Sequence, residues 1–218
     1  MTPNEVSQSI RDITIRLIKA SLVDRQNYPI TIRIGGQIKI GISGAPDLGG
    51  GLADIPYQDV YNNIDRAEAY HLKMVDGALI QMLYCFTKRK LSSHRLAYFP
   101  SPALLQYDEA VDIYEQDELF GDMFAPSLVK SPLRFDFDSS DDKYVDIEHP
   151  KSHLSLGQYK NCRIPVWGAV TPLRFMRFIL RNFYYNAYVG VNMDAAAAAV
   201  TFPQTISKSE KNILFVSA

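Results

Sequence analysis

The spacing of apolar residues along the chain predicts an amphipathic helix at its start. Thr2 is a good N-cap, Pro3 suits the first helical position, and Glu5 completes a capping box. Apolar side chains then recur every three or four residues, which places them on one helix face. The pattern predicts a first helix over residues 2–23, and its buried face carries Val6, Ile10, Ile13 and Leu17.

A strict alternation of isoleucines with other residues predicts a β-hairpin next. One alternating run extends from residue 30 to 34, and a second from 38 to 42. Gly35-Gly36 separates the two runs, as expected for a two-residue turn in which both positions need positive φ. Residues 43–56 follow with three consecutive glycines, and we expect a flexible loop there.

Two more helices are predicted further along the chain. Apolar residues at helical spacing indicate a central core helix over residues 66–89, followed by a short strand at 96–99. Thr171 and Pro172 indicate the start of another helix, which continues to Tyr185. Three of its arginines fall within one narrow arc and suit a phosphate backbone or an acidic partner: Arg174, Arg177 and Arg181.

Runs of strands without regular alternation with helices favour an α+β fold over a doubly wound one. We predict a single α+β domain over residues 1–218, with a mainly antiparallel sheet and three or four helices packed on one of its faces. Seven acidic residues and no Lys or Arg between 108 and 122 indicate an acidic insertion at residues 105–130.

The strands predicted between residues 133 and 166 have one apolar and one polar face. Side chains alternate between the faces of a strand, so Arg134, Asp136 and Asp138 share the polar one. Val145 and Ile147 indicate a further short strand. The candidate catalytic residues gather on the polar face or at its rim: His149, His153, Arg134, Arg163 and Asp136.

Two chemistries fit these residue types. In the first, His149 and His153 act as general acid and base while an arginine stabilises a phosphorane-like transition state, which is metal-independent RNA cleavage. Histidine suits this role because its ordinary pKa lies near neutral pH. In the second, a divalent metal activates water. The metal ligands would then be Asp136, Asp138, His149 and His153.

Composition limits the classes of function. With 23 Lys and Arg against 24 Asp and Glu, the chain is no general polyanion binder, although a local basic patch remains compatible. Two distant cysteines form no disulfide framework. Without an apolar run long enough to span a membrane or a leader segment, we expect a cytoplasmic protein that makes no membrane contact.

The run RFDFD…HPKSHLSLG…CRIPV…TPLRFMRFILRNFY resembles a family of uncharacterised bacterial proteins known only as a domain of unknown function. The resemblance extends from HLKMVDGALIQMLYCF and HRLAYFPSP to FPQTI near the end. It implies a component of a bacterial defence or toxin operon.

The middle run is also similar to TumE-like toxins. The shared pattern is Arg-x-Asp, then His-Pro-x-x-His, then a helix opened by proline. The matched positions are Arg134, Asp136, His149 and His153, and the match covers about a quarter of the chain. This similarity favours a nuclease toxin.

The resulting expectation is an effector of bacterial anti-phage defence or of a toxin–antitoxin system, cutting RNA without a cofactor. A non-catalytic adaptor or neutralising subunit is the first alternative, with the acidic insertion holding a partner. A metal-dependent phosphodiester hydrolase is the second. In each case we expect a protein partner encoded nearby, such as an ATPase, an antitoxin or an effector.

Overall fold

The computed structural model describes residues 1–43, 55–102, 131–191, 193 and 201–217. Most of the predicted flexible loop, the whole acidic insertion and the alanine run at 194–200 lie outside these residues. Among the described residues, no helix combines the length and apolar character needed to cross a membrane.

Four α-helices and nine strands make up the described fold, which confirms the α+β class. The first half contains α1 (Pro3–Lys19), β1 (Val23–Gln26), β2 (Ile30–Ile34), β3 (Gln37–Gly41), α2 (Tyr57–Arg66), β4 (Leu72–Met74), β5 (Leu79–Thr87) and β6 (Lys90–Phe99). The second half contains β7 (Leu133–Asp138), β8 (Ser152–Leu156), β9 (Ile164–Pro165), α3 (Pro172–Phe183), α4 (Tyr185–Val191) and a 3₁₀ turn at Glu210–Asn212.

All nine strands belong to one antiparallel sheet. Its main order is β1-β4-β5-β6-β7-β8-β9, and β3 pairs with a further part of β5 and with β2. β5 and β6 are the longest strands and form the centre of the sheet. The predicted hairpin is confirmed: Ile34 pairs with Gln37, and both glycines between them have positive φ.

One face of the sheet, called here the helix-packed face, is covered by α1 and α3. The buried face of α1 is the one predicted, and the predicted capping box is present at its start. Thr171 caps α3, and Pro172 takes its first turn as predicted. These helices bury apolar side chains of the central strands, among them Ile80, Leu96 and Phe135.

Of the four described helices, α2 alone lies on the opposite face, called here the cleft face. Val60, Tyr61 and Ile64 of α2 pack on Leu79, Ala97 and Phe99 as a separate apolar cluster. These strand residues alternate with those of the helix-packed face, so α2 lies on the other side of the sheet. Three helices, α1, α3 and α4, thus contribute to the core of the helix-packed face as expected, and α2 is a further helix on the other face.

The predicted helix over residues 66–89 is wrong. The second helix ends at Arg66, and the rest of this segment contains β4, turns and the whole of β5. The first half of β5 is buried on both faces, and the cleft-facing residues Leu83 and Cys85 of its second half are apolar too, so its near-continuous apolar run also satisfies helical spacing. Asp76-Gly77 supplied the missing turn signal, since Gly77 has φ +83°.

The predicted strand around Val145 and Ile147 is also wrong. These residues belong to a tight turn in which Val145 bridges back to His149. Ile147 has φ +67°, which a β-branched residue rarely adopts. Both side chains are exposed, so the alternation of apolar and polar residues at this point does not come from a strand with one buried face.

Candidate functional site

A cleft of about 920 Å³ opens on the cleft face, beside the part that α2 covers. Its floor follows the strand register: His153 of β8 pairs with Asp136 of β7, which pairs with Arg95 of β6, which pairs with Leu83 of β5. Side chains of paired residues lie on the same face, so these four cross the cleft in one row.

Asp136 holds two arginines at the centre of this row. Its Oδ1 accepts a hydrogen bond from Arg95 Nε at 3.1 Å, and its Oδ2 accepts one from Arg134 Nε. Burial alone would raise the pKa of Asp136, but the two guanidinium groups outweigh it and leave the pKa below its ordinary value. The carboxylate is therefore ionised and fixes both arginines in the floor.

His153 has a defined tautomer. Its Nδ1 lies 3.0 Å from the carbonyl oxygen of Pro150, which can only accept, so Nδ1 carries the hydrogen. Nε2 lies 3.9 Å from Asp136 Oδ2. Burial lowers the pKa of His153, although the Pro150 carbonyl and Asp136 act in the opposite direction. At neutral pH, the ring is thus neutral and Nε2 can accept a proton.

His149 lies half-buried at the rim, with its ring 5.3 Å from that of His153 between centroids. Arg163 also lines the cleft and acts electrostatically on His153. The five predicted catalytic residues therefore meet in one place. Lysine and arginine dominate the cleft lining against Asp136 and Asp138: Lys39, Arg95, Arg134, Lys143, Lys151 and Arg163.

The loop that carries His149 is fastened to the C-terminal segment through Asp146. Tyr144 and Ser207 each donate a hydroxyl hydrogen bond to Asp146 Oδ1 at 2.8 Å, and Ser209 donates one to Oδ2. These hydrogen bonds, with that of Ser209 the largest cause, lower the pKa of Asp146. Three hydroxyls on one carboxylate hold the turn that ends at His149.

The residues predicted as metal ligands do not form a ligand set. Both oxygens of Asp136 are bound by arginines, and Asp138 pairs with Lys143 at 3.2 Å. Within the described ranges, no three or more His, Cys, Asp or Glu side chains are grouped to share an ion. The arrangement fits acid–base chemistry and anion binding better than metal binding.

The predicted basic edge of α3 lies away from the cleft. The apolar side of α3 packs on the helix-packed face, and Phe175 and Phe178 contact Phe135 there. Arg177 donates a hydrogen bond to the Tyr188 hydroxyl at 3.3 Å, and Arg181 is exposed. The structure thus separates Arg174, Arg177 and Arg181 from the histidines by the thickness of the sheet.

The comparisons with known proteins give a family but no relative of known activity. A family model described as an uncharacterized conserved protein (DUF2290) matches residues 22–218. The chain belongs to this family. No curated protein and no solved structure matched it significantly.

For this family member, sequence reasoning missed four cations of the cleft: Lys39, Arg95, Lys143 and Lys151. Arg95 lies between the helix predicted over residues 66–89 and the strand predicted at 96–99, so no predicted element placed it on a sheet face. Lys39 belongs to the predicted hairpin, and its place between Ile38 and Ile40 already put it on the face opposite to theirs. The sequence did not reveal that β3 pairs with β5, and this pairing is what brings Lys39 to the cleft.

Proposed function

We propose that this protein is a metal-independent ribonuclease acting as an effector in a bacterial defence or toxin–antitoxin system. The observation that carries the proposal is the pair of histidines, His149 and His153, in contact at the wall of a cationic cleft. Cations in the lining favour a polyanionic ligand. Two histidines side by side suit a reaction that removes one proton and supplies another.

The reaction would use the 2′-hydroxyl of RNA as its nucleophile. His153 Nε2 takes the 2′-hydroxyl proton while the 2′-oxygen forms a bond to phosphorus. The bond from phosphorus to the 5′-oxygen breaks, and protonated His149 gives its proton to that oxygen. The products are a 2′,3′-cyclic phosphate and a 5′-hydroxyl, with no net change in protons.

The arginines would stabilise the charge that develops on the phosphorane oxygens. Arg163 lies beside His153, and Asp136 keeps Arg134 and Arg95 in the floor. Groups fixed before the reaction stabilise a transition state without reorganising. Asp136 is therefore assigned as a positioning residue, whereas sequence reasoning placed it among the catalytic ones.

A cytoplasmic site of action and a protein partner belong to the same proposal. Cellular RNA is the substrate, and a ribonuclease of this kind needs control by a neighbouring gene product such as an antitoxin. The TumE-like pattern in Arg134, Asp136, His149 and His153 supports this setting.

The test is cleavage of RNA by the purified chain in the presence of a chelator, with the new 3′ ends analysed for cyclic phosphate. His153→Asn is the sharpest variant, because the asparagine amide can still donate to the Pro150 carbonyl while the proton acceptor is lost. We expect cleavage to fall by roughly 10²–10⁴-fold. His149→Ala should have a similar effect.

Arg163→Ala and Arg181→Ala form a matched pair, since one arginine lines the cleft and the other is exposed on α3. Only the first should slow cleavage. A folded parent protein that leaves RNA intact, and whose expression is harmless with or without His153→Asn, would overturn the proposal. Co-purification with an operon neighbour would then favour the non-catalytic adaptor.

A further inference from the structure

We propose that the end of the cleft near β2, β3 and β5 is a base-binding subsite, which takes one unstacked base of single-stranded RNA. The inference rests on the proposed function for the identity of the ligand. It assigns a task to a part of the cleft that the histidines do not reach.

The lining of the cleft changes character from one end to the other. At β7 and β8 it is polar and charged, with Asp136 and His153 in the row described above. Across β6 the floor becomes mainly apolar, with Ile32, Gly41, Ile42, Leu83 and Cys85 at the far end. Lys39 lies among them, between Ile32 and Cys85 in the strand register, and Gln37 lines the same end. A cleft with one cationic end and one apolar end matches a nucleotide, which has a charged phosphate and a flat, largely apolar base.

The register gives the separation of the two ends. Leu83 is three strands away from His153, and neighbouring strands lie about 4.8 Å apart, so the distance across the floor is about 14 Å. A phosphate reacting at the histidines cannot fill this distance by itself. A nucleotide next to the cleaved bond can extend along the floor and place its base on Leu83.

Gly41 leaves room above the apolar floor because it has no side chain. A Cβ added to Gly41 would lie 3.2 Å from the Leu83 side chain, so even alanine would press on the floor. Lys39 borders this region and can contact the phosphate of the bound nucleotide. Ile32, which is 40% exposed, forms the outer wall.

Single-stranded RNA fits this arrangement better than a duplex. Bases in a duplex are stacked and show only their edges in the grooves, whereas a single strand can turn a base outward to lie on apolar side chains. The cleft is bounded on one side by the loop of Lys143 and Tyr144, and His149 and Pro150 continue that wall. We therefore expect selection for unpaired segments.

The matched variants are Ile32→Ser and Ile34→Ser. Both isoleucines are exposed, and they lie two residues apart on one face of β2, but only Ile32 lines the cleft. The measurement is binding of a fluorescein-labelled single-stranded RNA of about ten nucleotides, a length within the usual site sizes. Each change is made in the His153→Asn background, so that no probe is cut.

We expect Ile32→Ser to weaken binding about fivefold, the low end of what base stacking contributes. Ile34→Ser should have no effect, and annealing the probe to its complement should weaken binding to the His153→Asn protein. Probes with one abasic position complete the test. At one position the base loss should weaken binding to the His153→Asn protein but weaken it no further when Ile32→Ser is added, which shows that the side chain and the base act together.

Lys39→Ala should instead lower the salt dependence of binding, because it removes a phosphate contact. If the single strand binds and Ile32→Ser matches Ile34→Ser, or if the effects of the abasic position and of Ile32→Ser simply add, the subsite is overturned while the ribonuclease proposal stands. If no single strand binds the parent or the His153→Asn protein, both fall.

Discussion

On one face of the sheet, β6 and β7 present His94 and Phe135 to the helices that cover them. On the other face, the next residues along the same strands, Arg95 and Asp136, line an open cleft. The backbone is shared, so the difference lies only in which side chains alternate and in what covers them.

The histidines make this comparison most clearly. His71 and His94 are buried, and each accepts a backbone hydrogen bond, from Met82 and Val170 respectively. Their remaining ring nitrogens have no hydrogen-bond partner in the described part of the chain. His153 instead turns one nitrogen to the backbone and the other toward the cleft. The surroundings of a histidine therefore decide whether it is enclosed among buried side chains, as His71 and His94 are, or can meet a ligand in the cleft, as His153 can.

The largest effect is expected when a large side chain is removed from the helix-packed face, which tests whether this face forms the core. Phe175 of α3 is fully buried and its ring meets that of Phe135 edge-on, so Phe175→Ala should lower the free energy of unfolding by about 3–5 kcal/mol. Chemical denaturation measures this directly.

Arg163→Ala, on the cleft face, is the control and should change stability by no more than about 0.5 kcal/mol. The two faces would then divide stability from chemistry. Equal losses for Phe175→Ala and Arg163→Ala would show that the helix-packed face is not the core.

The second largest effect is the loss of stability at acidic pH. Burial lowers the pKa of His71 to about 3 and that of His94 to about 4. In the unfolded chain, both histidines have an ordinary pKa of about 6.5. Below this pH the unfolded state therefore binds more protons than the native state, and the free energy of unfolding falls. For the two groups together, the loss between pH 6.5 and 5 should be about 3 kcal/mol.

Denaturation curves between pH 8 and 5 provide the measurement. The free energy of unfolding should be nearly constant from pH 8 to 7 and then decline. The burial of His153 lowers its pKa and contributes in the same direction. A stability that is level down to pH 5 would mean that the core histidines take up protons as easily in the fold as in the unfolded chain.

Much of the fold was predictable from residues whose spacing allows a single interpretation. The α1 capping box, the Gly35-Gly36 turn and the Thr171-Pro172 start of α3 are local signals, and the structure agrees with all three. The central strand β5 could not be predicted in this way, because apolar residues occupy both of its faces, and this removes the alternation that identifies a strand.

The candidate site was predictable along one segment but not across the sheet. Alternation placed Asp136 and His153 on one face, and the structure brings them together. Arg95 pairs with Asp136 from a strand 41 residues earlier in the sequence, and only the long-range register reveals this. Spacing alone also could not show that Arg174 and its neighbours lie on the other face.

A smaller effect separates two carboxylates of the same strand. Asp136 is largely buried between two arginines, whereas Asp138 pairs with Lys143 nearer the solvent. Asp136→Asn should lower the free energy of unfolding by about 2 kcal/mol, because it leaves two partly buried guanidinium groups without a counter-charge. Asp138→Asn should cost less than about 1 kcal/mol.

Denaturation at pH 7 compares the two variants, and high salt should reduce the loss in Asp138→Asn more than that in Asp136→Asn. Similar losses would indicate that the arginine cluster is solvated, and Asp136 would then no longer be a positioning residue.

The smallest effect on global stability is expected at Asp146, which is exposed and accepts three hydroxyl hydrogen bonds. Asp146→Asn weakens these bonds and should loosen the turn that ends at His149 while the unfolding midpoint stays nearly constant. Hydrogen exchange should become faster in residues 144–149 and remain slow in β7, since local opening does not require global unfolding. RNA cleavage should fall roughly tenfold through kcat, because the general acid His149 is misplaced and not lost.

The double variant Ser207→Ala, Ser209→Ala removes the same contacts from the other side and should give the same exchange pattern. If exchange in the turn is unchanged in both variants, the strained backbone at Ile147 holds His149 without this clamp.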